Sequence, residues 1–108
     1  CTAVSNNLPI ITVIFNNTVL GRVYQWHTSF YEQRYSNTVP ERKTDFVKLI
    51  EAFGGTGYRA GTAEEFAAAY QKALQADGPV WIDCRIAKTD RVLPMIPNGK
   101  TIDDMIFE

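Results

Sequence analysis

Ile10-Ile11-Thr12-Val13-Ile14-Phe15 is β-branched or aromatic throughout and stops abruptly at Asn16-Asn17. A run that does not alternate polar with apolar residues reads as a strand covered on both faces, the pattern of a parallel sheet. Parallel neighbours need long crossovers, usually helical, and the remaining sequence provides them. From Val19 the apolar residues Val19, Leu20, Val23, Tyr24, Trp26, Phe30 and Tyr31 fall in steps that build one helical stripe, so a helix is expected directly after the Asn pair. A polar loop over Asn37–Lys43 then precedes a helix capped by Thr44, with Phe46, Val47, Leu49, Ile50 and Phe53 on its buried face. Gly54-Gly55 ends it.

A short strand around Tyr58-Arg59-Ala60 leads to Thr62, whose spacing to Glu65 predicts a capping box, and to a helix burying Phe66, Ala69, Tyr70, Ala73 and Leu74. After the stop Asp77-Gly78-Pro79, Val80, Ile82, Cys84 and Ile86 alternate with Trp81, Asp83 and Arg85. That alternation predicts a strand whose second face is less deeply buried than that of the first strand. At the start, Asn6-Asn7 closes the last turns of a helix and Leu8-Pro9 prevents its continuation. At the end, Pro94 and Pro97 exclude a helix until Thr101, Asp103 and Asp104 open a short one running to Phe107.

The expected architecture is α/β: a small parallel sheet flanked by helices in a Rossmann-like three-layer arrangement. Three strands make a small sheet, and the most apolar one comes first, so a neighbouring strand is expected upstream of residue 1. A first residue that is Cys rather than Met agrees with a chain that is a piece of a longer protein. With 11 Lys+Arg against 12 Asp+Glu the net charge is −1, which leaves no basic field for nucleic acid or anionic lipid. The apolar run falls far short of the roughly 20 residues that cross a bilayer. The only cysteines, Cys1 and Cys84, lack disulfide-framework or metal spacing, so a reduced, cytoplasmic setting is expected.

Few residues carry chemistry. The single histidine, His27, reads as a packed or solvated helical residue, Cys84 as a buried inert thiol, and Asp103 and Asp104 as capping groups. Gly54-Gly55-Thr56-Gly57 follows a helix rather than a strand, so it is a C-cap and turn, not a phosphate cradle. Asn16-Asn17 differs in placement, because it lies at the carboxyl end of a parallel strand, the edge where open α/β sheets bind ligands. An Asn side-chain oxygen and a turn carbonyl are hard neutral donors that suit Mg²⁺ alongside phosphates and a carboxylate. An ordinary turn is the competing reading.

The order of short motifs narrows this further. Asn7-Leu8-Pro9, Ile14-Phe15-Asn16-Asn17, Leu20-Gly21, Gln25-Trp26, Phe30-Tyr31-Glu32, Arg34-Tyr35-Ser36, Asp45 to Leu49, Ala52-Phe53-Gly54, Asp77-Gly78-Pro79 and Leu93 to Lys100 run in sequence over nearly the whole chain. Together they resemble the thiamine diphosphate-binding domain of the acetolactate synthase (acetohydroxyacid synthase) family, and Gln25-Trp26 with Arg34-Tyr35-Ser36 look like its biosynthetic branch. In that family a Gly-Asp-Gly opens the diphosphate motif and Asn-Asn closes it. No Gly-Asp-Gly occurs here, and the 15 residues before Asn16 do not reach back to it. The resemblance therefore implies residues 1–108 of a C-terminal part of the domain, without a catalytic residue of its own and inactive when isolated.

The resemblance assigns Mg²⁺ to the Asn17 side-chain oxygen and the Val19 backbone carbonyl, contact with the cofactor to Asn17, Val19, Leu20, Gly21 and Arg22, and the substrate channel to Trp26. It implies condensation of pyruvate with a second 2-keto acid, with loss of carbon dioxide, in branched-chain amino acid biosynthesis. It further implies thiamine diphosphate and Mg²⁺ as cofactors, with room for FAD. The assembly would be a homodimer or homotetramer with a regulatory small subunit, in the cytoplasm or, in a plant, the plastid. Two departures stand out: Arg22 occupies a place usually held by Met, and Tyr24 one usually held by Arg. Another thiamine diphosphate-dependent 2-keto acid decarboxylase or carboligase is the alternative within the class. A non-catalytic α/β interaction module is the alternative outside it, and would leave the placement of the Asn pair unexplained.

Overall fold

The computed structural model describes residues 1–40 and 44–108. Its elements in chain order are α1 (Thr2–Ser5), β1 (Ile11–Asn16), α2 (Gly21–Phe30), α3 (Phe46–Ala52), β2 (Thr56–Ala60), α4 (Ala63–Ala73), β3 (Val80–Arg85) and a closing 3₁₀ turn (Ile102–Asp104). Of the loop expected over Asn37–Lys43, residues 41–43 lie outside the described residues.

The three strands form one parallel sheet in the order β1-β3-β2. Val13 and Tyr58 flank Ile82, and Phe15 and Ala60 flank Cys84, so alternation places these side chains on one face. That face meets α4, whose Ala69 and Ala73 join Ala60, Val80, Ile82 and Cys84 in the core. The opposite face meets α3. There Gly57 sits so close to the helix that an added Cβ would press on Val47 Cγ1 at 2.8 Å and Ile50 Cγ2 at 3.0 Å. Helix, sheet and helix make the three layers the sequence predicts.

The ranking of the strands is reversed. β3 is the central strand, with Val80, Ile82 and Asp83 all 0% exposed, whereas β1 is an edge strand on which Phe15 is 72% exposed. The polar alternation of β3 reads as a wet face, yet Asp83 is buried among partners that satisfy it. Among the described residues nothing pairs with the outer edge of β1.

Helix boundaries and faces also differ from expectation. α2 starts at Gly21, because Thr18 adopts a left-handed φ of 63° that no helix can include. Its apolar stripe is mostly open: Gln25 is the buried residue of α2, while Leu20, Val23, Phe30 and Tyr31 are exposed. α3 is capped by Asp45 rather than Thr44, through Oδ1 accepting from the N–H groups of Val47 and Lys48 at 3.2 Å each. Leu49 on α3 and Phe53 at its C-cap, and Tyr70 on α4 and Leu74 at its C-cap, are exposed. Thr62 caps α4 as expected, but the Glu65 carboxylate takes the N–H of Gly61 at 2.7 Å, one residue before the box position. The full box forms instead at Thr101 and Asp104, and the chain then pairs Ile106 with Met95 in place of a helix to Phe107. α1 closes at Asn7 with φ 49°, as its sequence requires. No helix among the described residues is long and apolar enough to cross a membrane.

Candidate functional site

Where β1 ends, two side-chain amides fold the backbone over. Asn16 Oδ1 accepts from the Thr18 N–H and Asn17 Oδ1 from the Val19 N–H, each at 3.2 Å, giving two consecutive Asx turns. The Leu20 N–H then donates to the Thr38 carbonyl at 2.9 Å, and α2 begins. At the first helical position a Cβ on Gly21 would collide with Asn17 Nδ2. Glycine there lets the Asn17 amide lie against the start of the helix.

That start is electrostatically open. Leu20 at the N-cap provides no side-chain acceptor, and the first turn of α2 carries no acidic residue. The first N–H groups of a helix have no partner within it and favour an anion.

A cleft of about 620 Å³ lies beside this turn, at the carboxyl end of the sheet. Asn17, Thr18, Val19 and Leu20 line one side, and Val39, Asp45, Phe46 and Arg85 are among the residues lining the rest. Of the residues expected to touch a cofactor, Asn17, Val19 and Leu20 thus share one cavity. Gly21 meets it only by way of Asn17, and Arg22 is exposed on the first turn of α2, outside the lining. Trp26 is half-buried, edge-on to Phe30 at 5.7 Å between ring centres, and also outside the lining. Tyr24, at the second departure from the family pattern, stacks on Tyr35 with ring centres 4.5 Å apart.

An amide oxygen has two lone pairs. The Val19 N–H occupies one on Asn17, so one remains for a cation, and the Val19 carbonyl adds a second hard neutral oxygen. The described residues include no group of three or more His, Cys, Asp or Glu able to hold a metal. Two neutral oxygens fit Mg²⁺ only as part of a shell that phosphate oxygens and further ligands complete.

Sequence reasoning passed over the residues behind the turn. Asp83 is fully buried and its Oδ1 accepts from Asn16 Nδ2 at 2.8 Å. Its Oδ2 faces Arg85 Nε at 3.2 Å and Arg59 Nε at 3.5 Å, while Arg59 Nη2 reaches Asp45 Oδ1 at 2.8 Å. Register places Arg59 opposite Asp83 and Arg85 opposite Asn16, a signal available only once the strand order is known. Burial, together with the Asp83 charge beside it, pushes the Cys84 thiol up, as an inert cysteine requires. His27 is packed against Tyr31, and its Nδ1 accepts from the Ser36 N–H at 3.3 Å.

Residues 1–84 match the family described as "Thiamine pyrophosphate enzyme, C-terminal TPP binding domain". The chain is 38% identical to the mitochondrial acetolactate synthase catalytic subunit of Saccharomyces cerevisiae over 96% of its own length, and 41% identical to the acetolactate synthase large subunit of Corynebacterium glutamicum over 98%. It spans only 15% and 18% of those two proteins. Among solved structures it is similar to the benzoylformate decarboxylase of Polynucleobacter necessarius, with a TM-score of 0.74 and 25% identity over 85% of this chain and 17% of that one. It is also similar to the thiamine diphosphate-dependent 4-hydroxybenzoylformate decarboxylase of Rhodococcus jostii RHA1, with a TM-score of 0.70 and 31% identity over 80% of this chain and 16% of that one. Parallel three-layer fold, Asn-Asn turn and family match agree: the chain belongs to the C-terminal TPP-binding domains of the thiamine pyrophosphate enzymes.

Proposed function

We propose that the protein containing this chain condenses pyruvate with a second 2-keto acid and releases carbon dioxide, as an acetolactate synthase of branched-chain amino acid biosynthesis. The observation that carries the site is the meeting of Asn17 and Val19 in one cleft, at the carboxyl end of a parallel strand and against an uncapped helix start. Asn17 Oδ1 and the Val19 carbonyl hold Mg²⁺, which neutralises the cofactor's diphosphate. The open first turn of α2 adds a favourable field for the same anion. Leu20 and Gly21 pass beside the cofactor, and Arg22, exposed one residue further on, brings a fixed positive charge where a thioether is usual. When bound, thiamine diphosphate provides the electron sink for loss of carbon dioxide. Trp26, nine residues beyond Asn17, walls the channel for the second keto acid.

The activity belongs to the longer protein, as a homodimer or homotetramer with a regulatory subunit, to which this chain brings the two metal donors Asn17 and Val19. FAD and a cytoplasmic or plastid location complete the reading. Calorimetric titration of the full-length protein with thiamine diphosphate tests it. Binding is expected to be saturable and Mg²⁺-dependent, and Asn17→Ala should weaken it roughly tenfold to a hundredfold, by analogy with other lost metal-shell partners. Binding indifferent to both Mg²⁺ and Asn17 would return the Asn pair to the status of a turn.

A simple 2-keto acid decarboxylase is the second reading, favoured by the likeness to the two benzoylformate decarboxylases. Gln25-Trp26 and Arg34-Tyr35-Ser36 speak for the synthase. Incubation with pyruvate and, separately, with benzoylformate separates the two, since the synthase forms acetolactate from pyruvate and the decarboxylase releases from its keto acid the aldehyde one carbon shorter.

A further inference from the structure

We infer that Asp83 is a positioning residue for the metal-binding turn and acts through Asn16, an inference that rests on reading Asn17 and Val19 as Mg²⁺ donors. The Asn16 amide could in principle sit either way round. Its Nδ2 donates to Asp83 Oδ1 at 2.8 Å, so its oxygen is the atom turned toward the Thr18 N–H at 3.2 Å. In the flipped amide, oxygen would face the Asp83 carboxylate and Nδ2 would face the Thr18 N–H, donor against donor. Asp83 thus selects the one orientation of Asn16 that can hold Thr18 at φ 63°. A β-branched residue stays in that region only where its surroundings over-determine it. With Thr18 fixed, the Val19 N–H reaches Asn17 Oδ1 at 3.2 Å, which sets the separation of the two oxygens assigned to the metal.

The outer end of this chain of contacts is also fixed. Asp83 Oδ2 faces the Nε atoms of Arg85 and Arg59, whose side chains are 39% and 46% exposed. Arg59 is pinned in turn by Asp45 at the start of α3. Packing alone does not explain a carboxylate at the centre of the middle strand, because an apolar residue of similar size fills such a position at lower desolvation cost. A requirement to orient Asn16 does explain it.

The test titrates Mg²⁺ into the full-length protein at fixed thiamine diphosphate, reads cofactor binding by calorimetry, and records melting of each variant without ligands. Asp83→Leu fills the same buried position but removes the acceptor of the Asn16 amide, and is expected to raise the Mg²⁺ needed for half-saturation about tenfold. Asn16→Ala, which has no side-chain acceptor for the Thr18 N–H, gives the same shift by a second route should Asp83→Leu fail to fold. The double variant should be no worse than the worse single one, because both cut the same connection. A lower melting temperature with an unchanged Mg²⁺ midpoint would make Asp83 purely structural and overturn the inference, as would additive shifts in the double variant. Wild-type protein that binds cofactor without Mg²⁺ would instead overturn the underlying reading of the site, and is told apart by the wild-type titration alone.

Discussion

Asp45 Oδ1 receives the backbone N–H groups of Val47 and Lys48 at 3.2 Å and, in the same place, Arg59 Nη2 at 2.8 Å. One oxygen therefore caps α3 and ties it to β2. The Lys48 N–H bond first, then the Arg59 charge, hold the Asp45 carboxyl below its usual range. A carboxylate depressed in the folded state contributes stability above its unfolded pKa and loses it as the pH falls through the folded value. Stability should thus decline on acidification below about pH 4. Asp45→Asn, which can still cap a helix, should flatten that decline while leaving the neutral-pH fold in place. Urea midpoints measured stepwise from pH 7 to pH 3 check this, and parallel curves for the two proteins would exclude the assignment.

Gly21→Ala separates helix propensity from site geometry. Alanine at an ordinary helical position stabilises by about 1 kcal/mol over glycine. Here the new Cβ displaces the Asn17 amide. Cofactor affinity is expected to fall by an order of magnitude or so, comparable with other lost metal-shell partners, with ligand-free melting unchanged or slightly raised. Equal affinity in the two proteins would show that the close approach has no part in binding.

Trp26→Leu should alter which second keto acid is chosen and leave Mg²⁺-dependent cofactor binding intact, because the indole lies outside the cleft lined by Asn17 and Val19. Discrimination between substrates differing by one methylene is worth about 1–3 kcal/mol, tenfold or more in product ratio. Competition between pyruvate and 2-ketobutyrate, scored as acetolactate against acetohydroxybutyrate, measures it. An unchanged ratio with a collapsed melting temperature would make Trp26 a packing residue against Phe30.

Ile82→Ala truncates a side chain that is 0% exposed, at the middle of the central strand. A loss of about 2–5 kcal/mol is expected from transfer and cavity together. The same change at Val23, 46% exposed on α2, should cost far less. Denaturant unfolding of both variants compares them, and similar losses would contradict the position of the core.

The layered α/β plan was legible because β-branched runs, caps and glycine stops each act locally. Thr62 and the Asn7 closure formed where their chemistry required. Strand order was not legible, since nothing in Ile11–Asn16 says which neighbour it will have, and a strand apolar on both faces can still end at an edge. Asp83 misled for a related reason: its polarity signals water unless Asn16, Arg59 and Arg85 are known to converge on it. Val23, Phe30 and Tyr31 likewise satisfy helical spacing, and no surface among the described residues covers them. For the site, short-range geometry carried Asn17, Val19 and Leu20 into one cavity, while the positioning role argued for Asn16 depends on contacts across 67 residues of chain.

The strand order has a consequence for how such a domain comes off the ribosome. β1 and β2 touch β3 and not each other, yet β3 is the last of the three to be synthesised. Until Arg85 has cleared the exit tunnel, both earlier strands have unpaired edges and the apolar face of α4 has no centre to pack against. Nascent chains therefore pass through a long interval of exposed strand edge, the stage at which chaperones act and aggregation competes. Slowing translation before Val80 should lengthen that interval, and slowing it after Arg85 should not.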